Sequence, residues 1–238
     1  MTTALYLADS YAKECSATVL SVKDGKFIVL DQTIFYPKSG GQANDEGIMK
    51  TADGREVKVI FVGKFDVQIS HQVEPENVLK ESDKVTCTID WERRYKLMRM
   101  HTAAHLLSAI MYANSKVMIT GNELQPDQSR MDFDFEKMDA ELMKQYISKA
   151  NDAIKKNIPV KTCFLPRGEA LKIPGVVKLA NVLPPEEKEL RIVEIEGIDV
   201  QADGGTHVNN LSEIGEIVFL KVENKGKGRK RVYYTIKL

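Results

Sequence analysis

Two pairs of side chains in this sequence could hold a metal ion between them. In "RMHTAAHLLSAI", His101 and His105 are four residues apart, a spacing that places both imidazoles on one face of a helix. In "QADGGTHVNN", Asp203 and His207 show the same four-residue step. Imidazole and carboxylate both bind zinc, at about 2.0–2.2 Å. We therefore predict that the two pairs form one metal site.

The role of Asp203 in such a site has two readings. Three histidines and Asp203 can form a four-coordinate tetrahedral site, or three histidines and a water can do so with Asp203 behind them. The second arrangement leaves the open position typical of catalytic zinc. The glycines at 204 and 205 would let the loop backbone approach the ion, because they lack a Cβ atom. The fourth histidine, His71 in strand-like "QISHQV", is predicted to be structural.

A long helix and several strands must position these groups. Leu97, Ala104, Leu107 and Met111 recur at steps of three, four and seven, which predicts a helix over residues 91–112. A second helix is predicted over 139–156, ended by Pro159. The chain then returns to strands, in "LRIVEIEGIDV", "GEIVFLKVEN" and "RVYYTIKL".

The first 90 residues are predicted to be β structure, because short β-branched runs alternate with turn signals such as Lys23-Asp24-Gly25-Lys26. We expect two domains in an α+β fold. Residues 1–90 form a small β-barrel-like domain, and residues 91–238 form an α+β domain whose long metal-bearing helix packs on an antiparallel sheet. The segment "YPKSGGQANDEG" is a Gly-rich loop that ends in the amide of Gln42, and taken alone it is better explained as a plain turn between strands.

Composition is that of an ordinary globular protein, with 43% apolar and 29% charged residues and a net charge of zero. No run approaches the roughly 18 apolar residues of a membrane helix, and the N-terminus does not have the pattern of a secretion signal. We expect a cytoplasmic protein that does not enter a membrane. The three scattered cysteines predict reduced, buried thiols.

Two local stretches are strongly basic despite the neutral total. Residues 221–238 carry seven Lys or Arg against one Glu, and "ERRYKLMR" precedes residue 100. Such patches bind phosphates or simply form a solvated face. The candidate phosphate contacts are Arg93, Arg94, Lys96, Arg99, Lys225, Lys227, Arg229, Lys230 and Arg231.

Four segments together resemble one family. "FYPKSGGQANDEG", "DWERRYKLMRMHTAAHLL", "RMDFDF" and "DGGTHVNNLSEIG" occur in the order seen in the editing domain of alanyl-tRNA synthetase and its free-standing relatives, the AlaX proteins. The resemblance covers nearly the whole chain, and no aminoacylation core precedes it. It implies a free-standing trans-editing hydrolase that deacylates mischarged tRNA(Ala) carrying serine or glycine, with no obligate protein partner evident.

The resemblance also implies a site. The implied site holds one zinc ion per chain on His101, His105, Asp203 and His207. The resemblance also implies that Gln42 lies near the substrate. Thr102, inside the helix motif, is a candidate for lining the pocket, so the catalytic candidates are Gln42, Thr102 and Asp203.

Two positions depart from the family pattern. Asp203 stands where the family has cysteine, and Ser39 stands where its loop has a first glycine. The first change replaces a sulfur ligand by oxygen.

The expected mechanism is metal-assisted ester hydrolysis by water, since no Ser-His-Asp or Cys-His arrangement is apparent. The alternative is a non-catalytic tRNA-binding or metal-stabilised module. A zincin-type peptidase is excluded, because no Glu follows the first histidine of His101-Thr-Ala-Ala-His105.

Overall fold

A computed structural model describes residues 2–65, 68–136, 139–176, 187–226 and 228–237. The chain forms two compact units, Met1–Leu97 and Met98–Leu238. This division falls inside the first long helix, whereas the sequence suggested residues 90 and 91, at its start. The domain limits 1–90 and 91–238 therefore stay a prediction.

The first unit contains a closed barrel of six strands in the order β2-β3-β7-β6-β5-β8, and every neighbouring pair is antiparallel. This confirms the predicted barrel. Its strands and the short parallel pair beside it are β1 (Thr3–Ala4), β2 (Glu14–Lys23), β3 (Phe27–Leu30), β4 (Gln32–Thr33), β5 (Gly47–Thr51), β6 (Glu56–Phe65), β7 (Gln68–Glu74) and β8 (Lys84–Ile89). A 3₁₀ turn covers Leu5–Leu7.

The barrel core follows from strict alternation along the strands, because successive side chains point to opposite faces. In β8, Val85, Cys87 and Ile89 are buried, and the residues between them face outward. The inward residues of all six strands join one apolar cluster with Phe35 and Tyr36. Burying branched and aromatic side chains in this way is the main stabilising contribution to such a unit.

The second unit holds two antiparallel sheets and most of the long helix α1, as the α+β prediction requires. Its elements are α1 (Trp91–Ser115), β9 (Ile119–Glu123), β10 (Ser129–Asp134), α2 (Ala140–Ile154), β11 (Val160–Pro166), α3 (Arg167–Ala170), β12 (Glu189–Ile195), β13 (Asp199–Ala202), β14 (Glu216–Asn224) and β15 (Arg229–Lys237), with a 3₁₀ turn at Leu211–Ile214. One sheet has the order β14-β15-β10-β9 and the other β11-β12-β13.

Helix α1 is more deeply buried than its single predicted stripe indicates. Every residue from 98 to 109 is buried, so all faces of this stretch are covered. The helix lies against β15, where the hydroxyl of Tyr234 donates a hydrogen bond of 2.9 Å to the carbonyl of Met100. A rigid, fully packed helix is a suitable support for a functional site.

Helix α2 begins where a capping residue predicts it. The carboxylate of Asp139 accepts a 2.8 Å hydrogen bond from the backbone N–H of Leu142, which satisfies a free donor at the helix start. Among the helices in the described part of the chain, none combines the length and the apolar character that crossing a membrane requires.

The cysteine prediction is right for Cys87, which is buried, and wrong for Cys163, which is exposed. Cys15 is half-buried. Cys163 lies on β11, an edge strand whose four residues from 161 to 164 are all exposed. Its apolar neighbours in sequence therefore do not form a buried strand; among the described residues, β11 is paired only with β12.

Candidate metal centre

Helix α1 and the loop after β13 bring four side chains of the second unit together. The ligand atoms of His101, His105, Asp203 and His207 all lie within 4.8 Å of one another. The ring centroids of the three histidines are 4.3–5.1 Å apart. The two four-residue pairs of the sequence therefore meet as predicted, and the cluster could bind a metal ion.

The spacing of the donor atoms fits four-coordinate binding. Asp203 Oδ2 lies 3.6 Å from His101 Nε2 and 3.9 Å from His105 Nε2, and Asp203 Oδ1 lies 3.1 Å from His207 Nε2. Ligands about 2.0–2.1 Å from a tetrahedral ion are roughly 3.3 Å from each other. The side chain of Asp203 is 21% exposed, against 7% or less for the histidines, so the cluster opens on the aspartate side.

A glycine is required where the loop passes the helix. A Cβ atom at Gly205 would lie 2.2 Å from Cε1 of His101, which no packing tolerates. The N–H of Gly205 also donates a 2.6 Å hydrogen bond to Asp203 Oδ1. That bond orients the carboxylate so that Oδ2 faces His101 and His105.

Thr102 contacts His207 through its hydroxyl, and its predicted place in the lining of the pocket stays a prediction. It is fully buried, its hydroxyl donates to the carbonyl of Met98 at 3.0 Å, and it accepts from the N–H of Val208 at 3.2 Å. Because the hydroxyl proton is already donated to Met98, the hydroxyl oxygen accepts a hydrogen bond from His207 Nδ1 at 3.1 Å. The lone pair of His207 is then on Nε2 and faces Asp203, an arrangement of two acceptors that a cation between them would stabilise.

Two residues of the site were missed in the sequence. Asp199, which is buried on β13, places Oδ2 3.3 Å from His105 Nδ1 and so favours Nε2 as the ligand atom. Arg191, also buried, donates to the carbonyls of Asp203 and Gly205 at 3.0 and 2.9 Å and holds the loop. The signal for Asp199 is its alternation with Gln201 and Asp203, which puts three polar groups on one strand face.

The pKa values of His101, His207 and Asp203 suit metal ligation, whereas that of His105 does not. Burial lowers the pKa of His101 to about 4, and burial together with the nearby His101 lowers that of His207 well below its usual range. Burial also opposes charge on His105, but the carboxylates of Asp199 and Asp203 outweigh it and raise the pKa of His105 to about 9. Burial would raise the pKa of Asp203, yet the three imidazoles hold it well below the usual value. An ionised carboxylate and neutral imidazoles are the forms that bind metals, so His105 would have to release its proton when an ion binds.

Two of the predicted phosphate contacts are buried, and the structure corrects both. Arg94 has no exposed surface; it forms an ion pair with Asp45 and donates to the carbonyls of Ile34 and Ser10 at 2.6 and 2.9 Å. Arg99 is 4% exposed and donates to the carbonyl of Ile214 at 2.6 Å. Both guanidinium groups satisfy backbone carbonyls inside the protein and cannot reach a phosphate.

The other basic candidates differ in their exposure and in the ion pairs that they form. Lys96 and Arg229 are exposed, and Lys230 is half-buried. Arg93 pairs with Glu46 at 3.2 Å, Lys225 with Glu223 at 2.9 Å and Arg231 with Asp132 at 2.6 Å. Lys227 lies outside the described residues.

The Gly-rich loop is a tight turn in the first unit. Ser39 and Gln42 exchange backbone hydrogen bonds of 3.2 and 2.8 Å across Gly40 and Gly41, which both have positive φ. Gln42 itself is fully buried. Because Gln42 and the histidine cluster lie in different units, its part in catalysis stays a prediction.

Comparison with known proteins gives consistent matches. The family model described as "tRNA synthetases class II (A)" matches residues 3–93, and "Threonyl and Alanyl tRNA synthetase second additional domain" matches residues 190–233. The chain is 49% identical over 238 residues to the alanyl-tRNA editing protein AlaX-M of Saccharolobus solfataricus, with 100% of both chains covered. It is 47% identical to the AlaX-M protein of Methanosarcina barkeri over 99% of each chain. It is 37% identical to the alanine–tRNA ligase of Pyrobaculum neutrophilum, over 97% of this chain but 26% of the ligase.

Proposed function

The chain belongs to the AlaX-M family of alanyl-tRNA editing proteins, and we propose that it deacylates tRNA(Ala) mischarged with serine or glycine. The cluster of His101, His105, Asp203 and His207 carries this proposal, because it provides a metal-binding centre on an otherwise fully packed helix. The need for such an activity is physical. A pocket shaped for alanine cannot exclude the smaller glycine and rejects serine, with one more hydroxyl, only weakly, so a second hydrolytic site is required.

We propose zinc as the ion, one per chain, with Asp203 as the fourth ligand through Oδ2. Three imidazole nitrogens and one carboxylate oxygen at these separations are a zinc donor set. When bound, zinc would supply a Lewis acid on the exposed side of the cluster, able to polarise an ester or a water that joins the four protein ligands as a fifth.

The protein's own residues would set the geometry of the reaction. Thr102 and Asp199 hold the imidazoles of His207 and His105 with Nε2 toward the centre. Arg191 holds the loop that carries Asp203. The aspartate side is the open side, so the aminoacyl ester would approach there, and water would act as the nucleophile. Gln42 remains our proposal for a further group near the substrate.

Exposed basic side chains would bind the tRNA phosphates. Lys96, Arg229 and Lys230 are the main proposed contacts, with Lys227 added from the sequence. Arg93, Lys225 and Arg231 are weaker candidates, because carboxylates already pair with them. We propose that the protein acts in the cytoplasm on mischarged tRNA(Ala), without an obligate protein partner.

Deacylation assays test this function. We expect the wild type to release serine and glycine from tRNA(Ala) and to leave Ala-tRNA(Ala) largely intact. The double variant His101→Ala, His105→Ala should lose both the activity and the bound metal. Metal analysis of freshly purified protein would identify the ion.

Two results would contradict the proposal. Equal rates for the wild type and the double variant would exclude a role for the metal. A wild type that binds tRNA(Ala) but never deacylates it would identify a binding module instead.

A further inference from the structure

An exposed aromatic side chain lies on the same sheet face as the metal cluster. Phe164 on β11 is 48% exposed. It pairs in register with Arg191 on β12, and Arg191 in turn accepts the backbone hydrogen bond of Asp203 at 3.0 Å. Phe164, Arg191 and Asp203 therefore form one row across three strands.

The face on which Phe164 lies follows from alternation along β11. The next residue, Leu165, packs with Leu190 and Ile192 in the apolar cluster under α3, on the far side of the sheet. Side chains of consecutive strand residues point to opposite faces. Phe164 is thus on the near face, together with Arg191 and Asp203, in the part that stays open to solvent.

The distance along this row matches the size of one nucleoside. Neighbouring strands are about 4.8 Å apart, so β11 and the loop after β13 are separated by roughly 10 Å. In aminoacyl-tRNA the amino acid is esterified to the ribose of the terminal adenosine. If the ester lies at Asp203, the adenine must lie within the reach of one nucleoside from it.

We propose that Phe164 is the stacking partner of the terminal adenine of the mischarged tRNA, and that it positions the ester at the metal cluster. This inference rests on the proposed deacylase function and adds a substrate-positioning residue to it. An aromatic ring on a hydrogen-bonded strand is a rigid stacking surface, and stacking does not require a particular base edge.

Kinetics with four proteins test the assignment: wild type, Phe164→Ala, Phe164→Tyr and Leu171→Ala. Loss of one base–aromatic stack should lower kcat/KM for Ser-tRNA(Ala) about 10-fold in Phe164→Ala, while Phe164→Tyr keeps the ring and the activity. Leu171 is the matched control, because it is 45% exposed and follows α3 on the other side of the sheet. Leu171→Ala should behave as the wild type, and all four should bind equal amounts of metal.

Binding of two small probes shows whether the ring acts through the base. The first is 3′-amino-3′-deoxyadenosine carrying serine in an amide bond, and the second is its 1-deoxyribose counterpart without adenine. The wild type should bind the first about 10-fold more tightly, and Phe164→Ala should bind both equally.

The outcomes separate the two proposals. If the wild type deacylates Ser-tRNA(Ala) but Phe164→Ala retains its preference for the adenine probe, this assignment is wrong and the deacylase function stands. If Phe164→Ala changes only the oligomeric state, Phe164 belongs to an interface between copies and the assignment is again wrong. If the wild type shows no deacylation, the proposed function fails, and this assignment fails with it.

Discussion

The four histidines of this protein occupy two environments that differ in what their ring nitrogens face. His71 lies alone in the barrel, where Nε2 is 2.9 Å from the hydroxyl of Thr33 and Nδ1 is 3.0 Å from the carbonyl of Ile28. Both nitrogens of His71 are thus satisfied by protein groups. In the second unit, His207 uses Nδ1 in this way, whereas His105 Nδ1 faces Asp199 Oδ2 at 3.3 Å without a hydrogen bond. The Nε2 atoms of both rings converge on Asp203.

The comparison shows that burial does not distinguish a structural histidine from a candidate ligand. His71, His101 and His207 are all deeply buried, and burial is the leading cause that lowers the pKa of each. The two environments differ in what the Nε2 atom of each ring faces. A ring with two protein partners has nothing left for an ion, whereas three rings with Nε2 directed at one carboxylate could bind a cation between them.

Removing one histidine from each environment should give the largest difference between the two. His101→Ala should abolish metal binding and deacylation, because three donors remain around a centre built for four. His71→Gln should keep both metal binding and deacylation, because His71 is not one of the four residues of the cluster. Metal content by mass spectrometry and single-turnover deacylation would check both variants. Metal loss in His71→Gln would overturn the distinction.

The barrel histidine should make stability depend on pH. Burial lowers the pKa of His71 to about 4 from an ordinary 6.5, so the unfolded chain binds the proton more tightly than the folded one. The neutral ring stabilises the fold fully above pH 6.5, and that contribution is lost as the pH falls toward 4. The loss is about 3 kcal/mol, at 1.36 kcal/mol per pKa unit.

Urea unfolding at pH 7 and pH 4, followed by the single tryptophan, Trp91, would measure this contribution. His71→Gln has no proton to gain, so its free energy of unfolding should fall less than that of the wild type by about 3 kcal/mol. Equal falls in the two proteins would mean that His71 is not held neutral by the barrel.

A methyl group at the loop glycine should disturb the cluster without removing a ligand. In Gly205→Ala the new Cβ would meet His101 at 2.2 Å, so the loop or the ring must move. We expect a loss of about 1–3 kcal/mol in stability, typical of overpacking, together with weaker metal binding. Gly168→Ala is the control, because its Cβ would meet nothing within 4 Å. Thermal unfolding and metal titration of the two variants would separate crowding at the cluster from a general effect of alanine.

The smallest effect is expected from replacing Asp199, whose carboxylate faces His105 Nδ1. Asp199→Asn keeps the shape of the side chain but removes the charge that faces Nδ1 at 3.3 Å. Loss of such a partner weakens metal binding about 10- to 100-fold. Competition with a chelator of known affinity would measure the change, and Asp152→Asn, on the exposed face of α2, should show none.

Much of the fold was predictable from local pattern, and the failures have physical causes. The barrel strands β2, β3, β6, β7 and β8 and both long helices follow from apolar periodicity. Strands β5, β9, β10 and β11 were not identified, because they are short or carry polar and charged residues on both faces. Their strand character comes from hydrogen bonds to neighbours distant in the chain, which a local pattern does not contain.

Local sequence pattern also does not show which basic residues are exposed. Arg93, Arg94, Lys96 and Arg99 are equivalent as charges in the sequence, yet Arg94 and Arg99 satisfy buried carbonyls. Only the packing around α1 decides which of these charges meets solvent.

The sequence by itself determined the two pairs of the candidate metal cluster, because a four-residue step between strong ligands is a local property of a helix and of a glycine loop, whereas the fold brought the two pairs together. It also determined the barrel, since alternation selects the inward residues of each strand. The tertiary structure alone decided which groups stand behind the ligands: Thr102, Asp199 and Arg191 act through hydrogen bonds and ion contacts across the fold. It alone placed Phe164 in one row with Asp203, because strand register joins residues that the chain keeps nearly forty positions apart.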